Sequence, residues 1–376
     1  MPRLITKPYK TLPNGTPILA DIYTTCDFDI GPRDNNPIVL FFHAGGLTAF
    51  NRKFLYPSLV QAILKREWTL VSVDYRLLPQ ASPEDLWDDV KDAYRFVVDD
   101  LPGVLDMSSA SRGKEASRKI RRVVVAGASA GMFFSSLDGD ESREDGIFSL
   151  LGRKTWLTVI GTYLAFLAAR YFDQLSPPPV AIMTYYGIPS FNHAFFKSNT
   201  IIYGDEKMPK EKFAALFDDT NVSTGYTAPS QRFDVACLNA DLSPNTLYVK
   251  PKAGEVDEEP SDEFPRPDLY DYYLQENTYP ELFKELEGKL DFGSEGRDWK
   301  KFPKCVLLHG TKDVDGPLEL SQAFVDEVGD KNARLVSVEG AGHMLDDRKW
   351  LDDEGVEMNG IKEAWALVDR ALDGSW

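Results

Sequence analysis

A serine set between small residues is the first feature of this sequence that could do chemistry. Residues 127–131 read Gly-Ala-Ser-Ala-Gly and directly follow the apolar run 123–126. A strand that enters such a pentapeptide turns sharply, and the turn exposes the hydroxyl of Ser129 at the end of the strand. Bulky neighbours would clash there. The pattern predicts a nucleophilic serine, although a short motif stands only if its context agrees.

Acyl transfer by a serine also needs a base and an acid that orients the base. His343 is the predicted base, since it comes just after the strand pattern at 333–338 in a chain with four histidines. Asp313 is the predicted acid, because it follows the apolar run 304–308, and Asp315 is the alternative two residues later. Side chains that follow parallel strands meet at one edge of the sheet.

The third requirement is a set of N–H groups that bind the oxyanion of the tetrahedral intermediate. The backbone amides of Gly45 and Gly46, which follow the apolar run 37–42, are predicted to supply two of these donors. The amide of Ala130, next to the serine, is predicted to supply the third. Glycine suits this task because it lets the backbone approach a ligand closely.

The other histidines carry no predicted catalytic role. His43 is interpreted as a brace for the glycine loop, His309 as a structural residue, and His193 has no partner visible in the sequence. The cysteines are Cys26, Cys237 and Cys305. They are widely spaced and odd in number, so the sequence predicts reduced thiols and neither a disulfide framework nor a metal site.

Strands and helices that could position these residues alternate along the chain. Strands are predicted at 37–42, 68–73, 120–126, 180–186, 304–308 and 333–338, after an antiparallel hairpin of 9–12 and 18–23. Helices are predicted at 55–64, 83–97, 317–328 and 361–372. This alternation predicts an α/β fold with a doubly wound, mostly parallel sheet, whose active site lies at the carboxyl ends of the strands.

Two segments interrupt the alternation. Residues 191–302, rich in aromatic and acidic side chains, are predicted to form a cap inserted between the sixth and seventh strands of a core made of 1–190 and 303–376. Residues 132–161 form an atypical insertion directly after the serine motif. Two explanations stay open for this second segment: a genuine surface insertion, or a translated intron, since its codons permit splice signals. Without these 30 residues, an amphipathic helix would follow the motif directly.

Charge and hydropathy exclude several classes of function. The chain has 376 residues and a formal net charge of −17 at pH 7, which disfavours nucleic acid and anionic membranes as partners. No stretch reaches the roughly 20 apolar residues of a membrane span, and the N-terminal residues lack the apolar region of a signal peptide. These features predict a cytoplasmic protein that acts on a small molecule; its oligomeric state is open.

Together these motifs resemble the α/β-hydrolases of the hormone-sensitive-lipase-like esterase family. His-Ala-Gly-Gly at 43–46 resembles the H-G-G-G motif of that family, with Ala44 in place of its first glycine. Asp-Tyr-Arg-Leu-Leu-Pro at 74–79 resembles its D-Y-R-L-A-P segment. The resemblance covers roughly residues 10–131, 162–190 and 303–372.

The resemblance implies hydrolysis of a carboxylic ester with a small or medium acyl group, without a cofactor or metal. The order Ser129, Asp313, His343 along the chain is that of α/β-hydrolases, and the register of the acid-bearing turn favours Asp313 over Asp315. Two alternatives remain. One is other acyl chemistry on the same triad, namely lactone, amide or thioester cleavage or acyl transfer. The other is a non-catalytic small-molecule receptor on this fold.

Overall fold

The centre of the molecule is an eight-stranded sheet. The computed structural model describes residues 2–25, 36–106, 120, 122–128, 161–202, 206–228, 231–249, 265–288 and 301–376. Its strands are β1 (Arg3–Thr11), β2 (Pro17–Thr24), β3 (Ile38–Phe42), β4 (Thr69–Val73), β5 (Val123–Ala128), β6 (Ala181–Tyr185), β7 (Lys304–Gly310) and β8 (Ala333–Val338). They lie side by side in the order β1-β2-β4-β3-β5-β6-β7-β8.

The sheet confirms the predicted fold class. β1 and β2 form the predicted antiparallel hairpin, and β2 also runs antiparallel to β4. All the other neighbours, from β4 through β3 to β8, are parallel. The central strands are continuous apolar runs because both of their faces are covered by helices.

Ten α-helices of the described residues flank or connect the strands. They are α1 (Pro57–Leu64), α2 (Pro83–Arg95), α3 (Leu101–Asp106), α4 (Thr162–Arg170), α5 (Ala214–Asp218), α6 (Leu269–Gln275), α7 (Thr278–Leu282), α8 (Lys284–Gly288), α9 (Leu318–Val328) and α10 (Val356–Asp373). α1 and α10 pack on one face of the sheet, while α2, α4 and α9 pack on the other. The sheet is therefore doubly wound. In the described part of the chain, no helix is both long and apolar enough to cross a membrane.

The helix predicted at 83–97 continues further than its sequence pattern indicates. Ser82 caps it, since its hydroxyl accepts the amide of Asp85 while the Asp85 carboxylate accepts the amide of Ser82. After α2 the chain passes through a π-helical turn, Phe96–Asp100, into α3. Buried apolar side chains in that turn hold the extension against the core, although Pro102 and Gly103 suggest a break in sequence.

The segment between β6 and β7 has no strand among its described residues. It contains α5 to α8 and the short 3-10 turns Ala194–Lys197, Lys210–Phe213, Val235–Cys237 and Arg266–Asp268. Most of its buried aromatic side chains share one cluster with the side chains of α4 and α9, while Phe233 packs in the cluster on the other face of the sheet. Hydrogen bonds from its backbone and side chains also reach the loop that follows β3: Asn51 donates to Thr227 at 3.1 Å and Phe233 donates to Lys53 at 2.9 Å.

Candidate active site

The predicted acid and base lie together at the carboxyl edge of the sheet. Asp313 is buried in the turn after β7, and His343 lies in the loop after β8. The Nδ1 atom of His343 is 2.5 Å from Oδ2 of Asp313. Because a carboxylate only accepts, Nδ1 carries the hydrogen, which leaves Nε2 of His343 as the basic atom.

Four donors hold the carboxylate of Asp313. Oδ1 accepts the amides of Asp315 and Gly316, both at 3.0 Å, and Oδ2 faces His343 and His309. Burial alone would raise the pKa of Asp313, but the charge of His343 and the hydrogen bonds from both histidines outweigh it and bring this pKa below its usual value. The carboxylate therefore stays ionised and can stabilise an imidazolium.

His309 contacts the acid, which the sequence did not reveal. Its Nε2 atom is 3.1 Å from Oδ2 of Asp313 and 2.6 Å from the carbonyl of Gly316, and its Nδ1 atom is 2.7 Å from the hydroxyl of Ser321. These partners assign a tautomer with the hydrogen on Nε2. His309 thus fixes the position of the acid from below. A histidine four residues before the aspartate at a strand end was the only signal in the sequence.

Asp315, the alternative acid, contacts Asp313 and the cap segment through its backbone. Its backbone amide donates to Asp313 and its carbonyl accepts the hydroxyl of Tyr270 at 3.1 Å. Asp313, Asp315 and His343 offer one potential metal ligand each within 4.8 Å of one another. However, the four donors around Asp313 already occupy the lone pairs that a metal would need. The geometry is that of an acid–base pair.

The loop after β3 has the backbone expected of an oxyanion loop. Gly45 has φ 139° and Gly46 has φ 64°, and a Cβ atom on Gly45 would lie 1.6 Å from the carbonyl of Ala49. The carbonyl of Gly45 accepts the amides of Thr48 and Ala49 at 2.7 and 2.6 Å. The amides of Gly45 and Gly46 have no acceptor among the described residues.

His43 braces this loop. It is fully buried, its Nδ1 atom contacts the carbonyl of Ala44, and its ring stacks on Tyr75 at 4.2 Å. The hydroxyl of Tyr75 donates to the carbonyl of His43 at 2.9 Å. Burial lowers the pKa of His43 to about 3, so the ring is neutral at neutral pH and does not act as a general acid.

A buried ion network lies beneath the same loop. Arg52 contacts Asp21 of β2 at 3.0 Å and Asp74, just after β4, at 2.7 Å. Asp74 also accepts the amide of Arg52 at 2.8 Å. Burial raises the pKa of Asp74 to about 6 against the opposing effect of Arg52. Losing one partner would leave a buried charge uncompensated, so the network locks the loop to the sheet. The sequence showed Asp74 only as part of a motif.

The predicted nucleophile, Ser129, and the third oxyanion donor, Ala130, lie outside the described residues, as do the predicted insertion residues 132–160. The residues on either side are described. β5 ends at Ala128, and the amide of Gly161 donates to the carbonyl of Ala128 at 2.9 Å. A Cβ atom on Gly161 would lie 2.1 Å from the carbonyl of His43. α4 begins directly after this glycine, as predicted for a helix that follows the serine turn.

Known structures share this architecture. An α/β hydrolase superfamily protein from Enterococcus faecalis aligns over 99% of both chains with a TM-score of 0.56 at 15% sequence identity. The protein has the α/β-hydrolase fold. A family model described as "alpha/beta hydrolase fold" also matches residues 39–135. This model represents the hormone-sensitive-lipase-like esterases, so the resemblance predicted from the sequence is confirmed.

Curated proteins similar to this chain include a polyketide synthase and a carboxylesterase. The non-reducing polyketide synthase Preu6 of Preussia isomera is 24% identical over 363 residues, which cover 92% of this chain and 14% of the synthase. The probable carboxylesterase M8 of a Phoma species is 27% identical over 120 residues, or 31% of this chain and 36% of that protein. The chain thus spans only about one seventh of the length of the synthase that it matches.

Proposed function

We propose that the protein is a serine hydrolase that cleaves carboxylic esters with a small or medium acyl group. The observation that carries the proposal is the 2.5 Å contact between Asp313 and His343 at the carboxyl edge of an α/β-hydrolase sheet. The amides of Gly45 and Gly46 and the position of Ser129 directly after β5 support it.

In the proposed mechanism, Ser129 attacks the ester carbonyl while Nε2 of His343 takes the proton of its hydroxyl. Asp313 orients the imidazole and stabilises its protonated form. The amides of Gly45, Gly46 and Ala130 bind the oxyanion, a contribution worth about 3 kcal/mol of transition-state stabilisation per donor. The alcohol leaves with the proton from His343. Water then hydrolyses the acyl-enzyme with the same histidine as base.

We further propose that residues 191–302 act as the cap over this site. Tyr279, in this segment, donates its hydroxyl to the carbonyl of Gly46 at 2.8 Å, so the segment contacts the oxyanion loop directly. Tyr279 also lies in an aromatic cluster with Phe191, which stacks on it at 4.5 Å, and Phe196. An apolar cap next to the glycines favours acyl groups with hydrophobic chains or rings.

The test is turnover of p-nitrophenyl esters of increasing acyl length, with a fluorophosphonate probe to label the nucleophile. We expect hydrolysis, labelling of Ser129 by mass spectrometry, and loss of both in Ser129→Ala and His343→Gln. His193→Gln is the matched control, since that histidine caps a 3-10 turn in the cap segment and should keep full activity. Folded protein that binds esters without turnover or labelling would favour a receptor instead.

A second candidate function is release of an acyl group from a thioester. The match to a non-reducing polyketide synthase over 92% of this chain favours it. The same triad would serve, with a thiolate as the leaving group. Aromatic N-acetylcysteamine thioesters compared with oxygen esters of the same acids distinguish the two. The value of kcat/KM for the thioester divided by that for the ester is compared with the same ratio of the uncatalysed hydrolysis rates. A clearly larger ratio for the protein would support this candidate.

A further inference from the structure

Tyr186 occupies a strained position next to the candidate base. It directly follows β6 and has φ 43°, which is rare for a residue with a large side chain. Its amide donates to the carbonyl of Leu308 at 2.5 Å, which fixes it between two strands. The ring of Tyr186 meets that of His343 edge to face, with centroids 4.5 Å apart. A non-glycine residue strained at an active-site edge indicates a functional demand on its side chain.

The hydroxyl of Tyr186 leads to a buried carboxyl group. It donates to Oδ1 of Asp346 at 2.7 Å. Asp346 is fully buried, and its Oδ2 atom has no hydrogen-bond partner among the described residues. A buried, half-satisfied carboxyl is costly to keep in a core, and an apolar residue would be cheaper there. Asp346 lies three residues after His343 in the same loop, and Tyr186 contacts both side chains.

The positive charge that acts on Asp346 comes from His343. Tyr185 and Tyr186 face it from the end of β6, and Tyr56 faces it from the segment before α1. On its own loop the groups are His343 and Asp347. Burial raises the pKa of Asp346 to about 7, so its charge changes in the pH range in which a catalytic histidine works.

We propose that Tyr186 and Asp346 are positioning residues that support His343 in addition to Asp313. The ring of Tyr186 sets the plane of the imidazole, and the carboxyl of Asp346, held by the Tyr186 hydroxyl, stabilises the imidazolium that forms during acyl transfer. This inference rests on the proposed function for its catalytic part. Its physical part, the coupling between Asp346 and His343, stands without it.

The experiment therefore measures the coupling directly as well as through turnover. The full chain is labelled at the Cε1 carbons of histidine, the His343 signal is assigned with His343→Gln, and its NMR titration is followed in the wild type and in Asp346→Asn. Above about pH 7, where Asp346 is ionised, its removal takes away a negative charge and disfavours the imidazolium. We expect the titration midpoint of His343 to fall, by at most about half to one pH unit.

Two further variants separate positioning from packing. Asp347→Asn is the matched control, because this neighbouring carboxylate is 39% exposed and pairs with Arg348; it should leave the midpoint unchanged. Tyr186→Phe keeps the ring but removes the hydroxyl, so it should lower the midpoint by less than Asp346→Asn does. It also covers the case in which Asp346→Asn does not fold.

In turnover assays, Asp346→Asn should reduce kcat about tenfold with little change in KM, and the acidic limb of the kcat/KM profile should shift in the same direction as the NMR midpoint. A His343 midpoint that is unchanged in both Asp346→Asn and Tyr186→Phe, or that moves equally in Asp347→Asn, would overturn the inference. If the wild type hydrolyses no ester but the midpoint moves as expected, the proposed function fails and the coupling stands.

Discussion

The carboxylate of Asp313 is the centre of the network of hydrogen bonds and charges at the site. Its two oxygens receive two backbone amides and two imidazoles, and the network keeps its pKa below the usual value despite burial. An ionised carboxylate with every lone pair engaged cannot rotate away from the histidine. The contact with Asp313 therefore selects the tautomer of His343 that carries its hydrogen on Nδ1.

Asp313→Asn should accordingly abolish most of the activity while leaving the fold intact. The amide can offer a hydrogen to Nδ1 of His343, which selects the wrong tautomer, and the corresponding change in serine proteases lowers kcat about 10⁴-fold. The measurement is kcat on p-nitrophenyl butyrate, beside thermal unfolding. Asp315→Asn is the control and should lose less than tenfold, since its backbone amide, which this change leaves in place, donates to Asp313. A larger loss in the control would reassign the acid.

At the scale of elements, the junction between β5 and α4 is packed as tightly as a serine turn requires. A Cβ atom on Gly127 would lie 2.6 Å from the carbonyl of Gly161, and one on Gly161 would lie 2.4 Å from that of Phe42. Gly161 is therefore confined by the backbone at the end of β3 and in the loop after it.

Gly161→Ala should therefore destabilise the protein by several kcal/mol, because the backbone at the end of β3 and in the loop after it would have to move to accept the methyl group. Gly103→Ala is the matched control: it lies in α3 with no atom near its Cβ position, and it should stabilise the protein slightly through helix propensity. Chemical denaturation of both variants measures the difference. Equal stability of the two would show that Gly161 is not confined.

Removing residues 131–160 should leave a chain that folds and reacts better. The deletion joins Ala130 to Gly161, whose amide already bonds to Ala128, and it spares a loop-closure entropy of about 3 kcal/mol. We expect a higher unfolding temperature and faster fluorophosphonate labelling than in the full chain. Slower labelling would favour a genuine insertion with its own role, and transcript sequencing decides independently whether these residues are an intron.

Much of this could be predicted from the sequence because the strongest signals are local. Continuous apolar runs located β3 to β8 to within a few residues, and the pair of Asp313 and His343 followed from their places after two of those strands. The support around them could not be predicted. Arg52 and Tyr186 contact residues that are distant in sequence. His309 is close to Asp313 in sequence, but whether the two side chains meet depends on the conformation of the turn between them.

At the scale of the whole molecule, buried ionisable groups make stability depend on pH. Burial raises the pKa of Asp346 to about 7 from its ordinary 3.8, so the folded state holds a proton that the unfolded state releases above pH 4. This contribution is complete below pH 4 and is lost as pH rises through 7. His43 acts in the opposite sense, because its lowered pKa of about 3 costs stability as pH falls from 6.5.

Asp346→Asn should remove the first of these contributions. The free energy of unfolding of the variant, relative to the wild type, should rise between pH 4 and pH 7, by at most about 4 kcal/mol for three pH units. Urea denaturation at several pH values measures this difference. Asp352→Asn is the control, since the Asp352 side chain is 52% exposed beside Lys65. Its free energy of unfolding should change with pH in the same way as that of the wild type. If the free energy of unfolding of Asp346→Asn changed with pH in parallel with that of the wild type, Asp346 would be ionised in the folded core.

The contact between Ala128 and Gly161 also makes the polypeptide divisible. Ala128, at the end of β5, and Gly161, just before α4, are joined by a backbone hydrogen bond. β5 is paired with a strand on each side, and α4 is buried against it. A break within residues 129–160 leaves every strand pairing and helix of the described residues intact. Two separately expressed fragments, 1–145 and 146–376, should therefore assemble into one particle that elutes with the intact chain, which makes this junction a natural point for a split reporter.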